Sequence, residues 1–249
     1  LIYFNNISNC YIGNEEIRQL NNAKIITSAE QFVTTGQVPK EQFTSLINNL
    51  TPPLINLTTI DTTANVNITA KIGENVKVGV NTVIEQGVII GNNVIIGSNV
   101  TIKKDAVIKD GTQIGSNTVI EKSNTIGTDN IIGNNVTIKK ECVLANNVTL
   151  ADFAGIEENS KIGGFVTIGL NTKLQKETFI ADGTSIGANG NFDKNIKIGS
   201  NVTILDNVIV KKEVQVGDRT FIGNNVTINQ TAKIGSDVII NNSLTIGSN

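Results

Sequence analysis

Ile96-Gly97-Ser98-Asn99-Val100-Thr101-Ile102 and Ile132-Gly133-Asn134-Asn135-Val136-Thr137-Ile138 decide the reading of this chain. In both, an aliphatic residue returns after six positions, and the same step runs without a slip from Ile60 to Ile246. All thirty-two of these positions hold Ile, Val or Leu, except Phe192. With the aliphatic residue as position one, position two is often Gly, as at Gly73, Gly91 and Gly115. Position four is mostly Asn, Gly or Asp, as at Asn75, Gly87, Asn93 and Asp105, the residues that tolerate a left-handed backbone. Position five is modest in size and predicted to face inward, whereas position six faces out. Each hexad is then a short strand plus a corner, and three hexads close one triangular coil. The fold class this predicts is all-β, a parallel β-helix of about ten coils, on the order of 50 Å long at ~4.8 Å per coil.

Composition agrees. The 249 residues include no Trp, no Met and eight Phe, which suits rows of stacked Ile and Val better than a core of large interlocking side chains. No Pro follows Pro53, in keeping with unbroken ladders. The formal net charge of -2 gives no sign of a nucleic-acid partner or an anionic membrane. Cys10 and Cys142 have no CxxC or Cys/His context, so no metal, disulfide framework or cofactor is predicted. No apolar run is long enough to span a bilayer and no basic and apolar leader is present. The chain starts at Leu1 and stops within a repeat at Asn249, which predicts further sequence at both ends.

Residues 1–53 lack the six-residue rule and read as a partial α/β segment, with the β-helix occupying 54–249. Leu1-Ile2-Tyr3-Phe4 and Ala23 to Thr27 are strand candidates, and Asn14 caps a short helix. Pro39 opens a second helix, with Phe43, Leu46, Ile47 and Leu50 on one face, and Pro52-Pro53 ends it.

Three hexads per coil stack residues eighteen apart. One corner then carries Glu85, Lys103, Glu121, Lys139 and Glu157 in a column of alternating sign, beside a Lys column from Lys104 to Lys212 interrupted by Glu158. This reads as a solvated edge pairing opposite charges between coils. Thr149, Thr167, Ser185 and Thr203 form an outward hydroxyl column; such a row can order water, but Thr is also an ordinary strand residue. Outward Ile89, Val107 and Val143 on one face, with Ile95 and Ile131 on the next, predict a buried contact between copies, taken as a trimer. Cys142 falls on an inward position and reads as a buried apolar residue. Phe153 and Phe165 fall on corners, Phe179 and Phe221 on outward positions. Several Asn-x-Thr triplets match glycan acceptors, but the repeat itself generates them.

The chain also resembles the UDP-3-O-acylglucosamine N-acyltransferases of lipid A synthesis, within the wider hexapeptide-repeat acyltransferases. Leu1 to Asn6 is similar to the end of that family's uridine-binding domain, with Tyr3 and Asn6 on its Phe and Asn positions. Ala23 to Phe32 and Thr69 to Val76 continue the similarity. The resemblance implies a left-handed coil and an active site whose general base is His. This chain has no His. The family's Ala-His-Asn-Val segment is matched by Ala145-Asn146-Asn147-Val148, so Asn146 stands where the base would be, and an amide can orient a substrate or stabilise an oxyanion but not take the proton. The strict register also leaves no room for the loops that build the family's cleft, although Gly187 to Asp193 resembles one family segment while keeping the count of six.

The function these readings support is a non-catalytic structural or assembly β-solenoid, with Tyr3 and Asn6 as candidates for residual nucleotide-sugar binding. Two alternatives stand beside it: an acyltransferase that uses an acyl-carrier-protein thioester and a UDP-glucosamine derivative at an atypical site, and a repeat fibre on a cell or virus surface. The compartment follows the reading, cytoplasmic for the enzyme family and surface for the fibre.

Overall fold

The computed structural model describes residues 58–248; the candidate strands and helices of residues 1–53, with Tyr3, Asn6 and Cys10, lie outside them. Among the described residues, thirty-two strands of two residues recur every six positions, from β1 (Thr59–Ile60) to β32 (Thr245–Ile246). Each ends on one of the aliphatic positions read from the sequence. Every third strand joins the same parallel sheet, giving faces I and II of eleven strands and face III of ten. The register is uniform: Thr59 pairs Lys77 on face I, Asn65 pairs Val83 on face II, and Lys71 pairs Ile89 on face III. The described residues are thus a parallel β-solenoid with an eighteen-residue coil, as the spacing predicts.

Two side chains per hexad turn inward. Position-one residues such as Ile102, Ile138 and Ile168 are fully buried, as are position-five residues such as Val100, Val136 and Val148. Each fully buried aliphatic contributes roughly 1.5–3 kcal/mol of transfer free energy, so the stacked columns supply the main drive to coil. Where position five is polar, it is satisfied between coils. The buried Thr82 hydroxyl donates to Gly97 O at 2.8 Å, and Thr118 donates to Gly133 O at 2.9 Å while accepting from Val136 N at 3.2 Å. Asn130 donates to Ala145 O at 2.9 Å and accepts from Val148 N at 2.6 Å. Among the described residues no buried side-chain nitrogen or oxygen lacks a partner.

The corners explain the rest of the repeat. Every position-four residue from Asn75 to Ser243 has a positive φ, twenty-six of them non-glycine with φ between 53° and 62°, and three of them Gly. Fourteen of the twenty-six are Asn, whose short amide makes this region accessible at lower cost than other side chains. Position two is Gly where coils approach most closely: a Cβ at Gly73 would stand 2.6 Å from the Gly91 carbonyl carbon.

Candidate functional site

The corner between faces III and I holds Ala145-Asn146-Asn147, the segment at the catalytic position implied by the resemblance. Asn146 is exposed, and its Oδ1 accepts the Thr128 backbone N–H of the preceding coil at 2.9 Å. Its carbonyl accepts Phe165 N at 3.1 Å from the coil after. The same bond recurs along this edge: Asn92 N donates to Asp110 Oδ1 at 2.8 Å, Gly164 N to Asp182 Oδ1 at 2.8 Å, and Ser200 N to Asp218 Oδ1 at 2.7 Å. On the edge between faces I and II, Ser116 N donates to Asn134 Oδ1 and Asn134 N to Asp152 Oδ1. Position three is therefore a rung whose side-chain oxygen takes an amide that the corner would otherwise leave unpaired. Asn146 is one such rung, with its acceptor engaged and its NH₂ toward solvent. The sequence pattern did not reveal this role, although the recurrence of Asn, Asp and Ser at position three carries the signal.

Cys142 is buried on a position-five site, and its Sγ lies 3.0 Å from Glu157 O. Burial pushes the thiol up to about 11, with the nearby Glu157 and Glu158 carboxylates adding to the rise. A thiol held protonated in this way is packing, not a nucleophile.

The edge between faces II and III carries nine Lys and nine carboxylates from Glu85 to Glu213. Glu121 lies between the coils above and below, 3.7 Å from Lys103 Nζ and 3.1 Å from Lys139 Nζ, and Glu158 lies 3.0 Å from Lys176. The Lys176 hydrogen bond holds the Glu158 carboxyl below its ordinary range. These pairs are partly exposed and mutually cancelling, as the alternating column predicts, and a balanced edge offers no field to a polyanion. Near its start, Asn65, Asn67, Val83, Glu85, Gln86 and Lys104 line a shallow open recess of about 300 Å³. Among the described residues, no His/Cys/Asp/Glu group could hold a metal ion, and no helix is long and apolar enough to cross a membrane.

The outward aliphatics fall where the register predicts. Ile89, Val107 and Val143 lie on face III, Ile95 and Ile131 on face I, flanking the corner edge that carries Asn146. Four of them are between 41% and 50% exposed, and Val107 is half-buried.

A family model for the GMPPB C-terminal domain matches residues 54–152, one for the bacterial transferase hexapeptide (six repeats) matches 195–230, and one for the hexapeptide repeat of succinyl-transferase matches 213–248. No curated protein matches the chain. Similar solved structures include the UDP-N-acetylglucosamine acyltransferase of Francisella novicida, 19% identical over 72% of this chain and 67% of that one, with a TM-score of 0.41. The Arabidopsis enzyme of the same name is 19% identical over 74% and 66%, with a TM-score of 0.44. That of Campylobacter jejuni is 22% identical over 77% and 68%, with a TM-score of 0.36. The chain spans about two thirds of the length of each. Residues 195–248 thus match models of the hexapeptide repeat, and the described residues together are a β-solenoid built on a six-residue repeat.

Proposed function

We propose that this β-solenoid is a non-catalytic assembly scaffold that associates with copies of itself as a trimer. The observation that carries the reading is the pair of aliphatic strips beside one edge, Ile89, Val107 and Val143 on face III with Ile95 and Ile131 on face I. A strip on each of two faces lets face III of one copy meet face I of the next, a contact that closes into a ring. Outward aliphatics repeated over several coils are costly to leave in water, whereas single ones are ordinary. Two further features support a role without chemistry. The chain holds no His, and the residue at the implied catalytic position spends its side-chain oxygen on the Thr128 amide. Retained affinity for a nucleotide sugar at Tyr3 and Asn6 belongs to the same proposal.

Light scattering tests the assembly. The expected mass is three times that of the chain, falling to one chain when Val143→Lys and Ile131→Lys are combined with circular dichroism unchanged; a monomeric parent chain sinks the reading. For the chemistry, acyl transfer from an acyl-carrier-protein thioester to a UDP-glucosamine derivative, lost on Asn146→Ala, would overturn the non-catalytic role.

A further inference from the structure

Face I changes character along its length. Its outward column is aliphatic at Ile95 and Ile131, then becomes Thr149, Thr167, Ser185 and Thr203, and closes with Phe221 and Ile239. The four hydroxyl residues are in direct register, Thr149 with Thr167, Thr167 with Ser185, and Ser185 with Thr203. They span three coils, ~14 Å at the strand spacing. Interior hydroxyls such as Thr172 and Thr184 are bound to the neighbouring coil, at 2.8 Å to Gly187 O and Gly199 O. The four outward ones make no hydrogen bond to another described residue.

Phe165 stands at the corner that leads into Thr167, two residues before it, with buried Val166 between them. It is 71% exposed and has φ 56°, a conformation that a bulky side chain enters at a cost of about 1–2 kcal/mol. The corner positions one and two coils later are Gly183 and Asn201, so nothing large stands above the ring along that edge. An exposed phenyl in a strained corner, where Asn is the ordinary occupant, gains nothing for the fold and points to a ligand.

We propose that the strip from Phe165 to Phe221 on face I binds a neutral oligosaccharide lying along the solenoid axis, independently of the self-assembly proposed above. The chemistry matches part by part. A sugar ring has an apolar face that stacks on phenyl, and hydroxyl edges that pair with free hydroxyls and with the amides of Asn147 and Asn201. The outward column from Thr149 to Phe221 carries no charge, and the carboxylate of Asp182 on the flanking corner already accepts the Gly164 N–H at 2.8 Å, so the face itself offers an ionic ligand no counter-charge. Between Thr149 and Thr203 the column lacks the outward aliphatic residues that a protein contact would bury, and Ile239 follows only beyond Phe221. The two rings break the flat plane that a water-ordering surface needs.

Calorimetric titration with cellotetraose and chitotetraose tests this, with the galacturonic acid tetramer as the charged counterpart. At least one neutral tetramer is expected to bind, and Phe165→Asn to weaken it at least tenfold without lowering the unfolding midpoint, because Asn suits this corner. Phe221→Thr and Thr167→Val are each expected to weaken it as well. The proposal is overturned if neither neutral tetramer binds, if the charged tetramer binds more tightly, or if binding survives Phe165→Asn. It is also overturned if Phe165→Asn lowers the particle mass in light scattering, which would assign the ring to a contact between chains.

Discussion

Phe192 fits inside the solenoid because Gly190, two residues before it, has no side chain: a Cβ at Gly190 would stand 2.8 Å from Phe192 Cε2 and 3.2 Å from Thr172 Cγ2. Phe192 is fully buried on a position where every other residue is aliphatic, and Gly190 is buried on a position that usually carries Val, Thr or Ala. The pair exchanges volume within one coil. Gly190→Ala is expected to cost about 1–3 kcal/mol through overpacking, and Phe192→Ala about 3–5 kcal/mol through a cavity. The double change of Gly190→Val with Phe192→Ile restores the ordinary pair and should recover most of the loss. Chemical denaturation of the parent, the double variant and its two components, Gly190→Val and Phe192→Ile, checks this, and additive losses in the double variant would refute the exchange.

Asn130 clips two coils together from inside. Its amide donates to Ala145 O and its oxygen accepts from Val148 N. Asn130→Val leaves buried polar groups without partners, at a cost of about 1–3 kcal/mol. Asn130→Thr keeps a donor and an acceptor in the manner of Thr118, and should cost clearly less. Equal unfolding midpoints for the two variants would show that packing, not the hydrogen bonds, matters there.

Glu177 holds φ 61° on a corner where Asn is the usual residue, and it belongs to no close ion pair among the described residues. Glu177→Asn is expected to stabilise the chain by about 0.5–1 kcal/mol, because Asn enters the left-handed region more readily. A lower unfolding midpoint would mean that the carboxylate has a role the backbone does not reveal.

Burial raises the Cys142 thiol to about 11, above its value in an unfolded chain. As pH rises, the unfolded chain therefore ionises first. The stability that the protonated thiol contributes is whole below the ordinary thiol range and is lost as pH climbs through about 11. Cys142→Val, which puts the residue of Val136 and Val148 on the same kind of position, removes that dependence. The stability gap between variant and parent should move in the variant's favour from about pH 8 upward. Parallel curves would contradict it, as would rapid labelling of the folded thiol at neutral pH.

Most of the fold was legible because the repeat records it in a pattern of one residue type per position. Thirty-one aliphatic positions and Phe192 became thirty-two strands, and the Asn, Gly and Asp rule named the corners with positive φ. It missed that Phe153, Phe165, Glu141 and Arg219 adopt the same backbone, since neighbouring coils impose the corner whatever the side chain prefers. Asn146 was legible as a departure from a catalytic pattern. Its bond to Thr128 was not, because the partners lie eighteen residues apart and a comparison along the sequence sees only its neighbours. The Phe192 and Gly190 exchange was hidden for a different reason. The segment kept the six-residue count, and volume compensation leaves no mark on periodicity.

The constant offset of eighteen residues between paired strands makes length itself a determinant of what each surface carries. Removing eighteen residues anywhere between Asn75 and Ser243 shortens every column by one member and leaves each column on its own face. Removing six turns everything downstream by one face. Beyond such a cut, the Lys and Glu columns would continue beneath a different edge, and the hydroxyl column would stand on a face that now begins with other residues. A chain built this way accepts insertions and deletions of a whole coil as changes of reach, and registers any smaller multiple of six as a rearrangement of its whole exterior with its interior untouched.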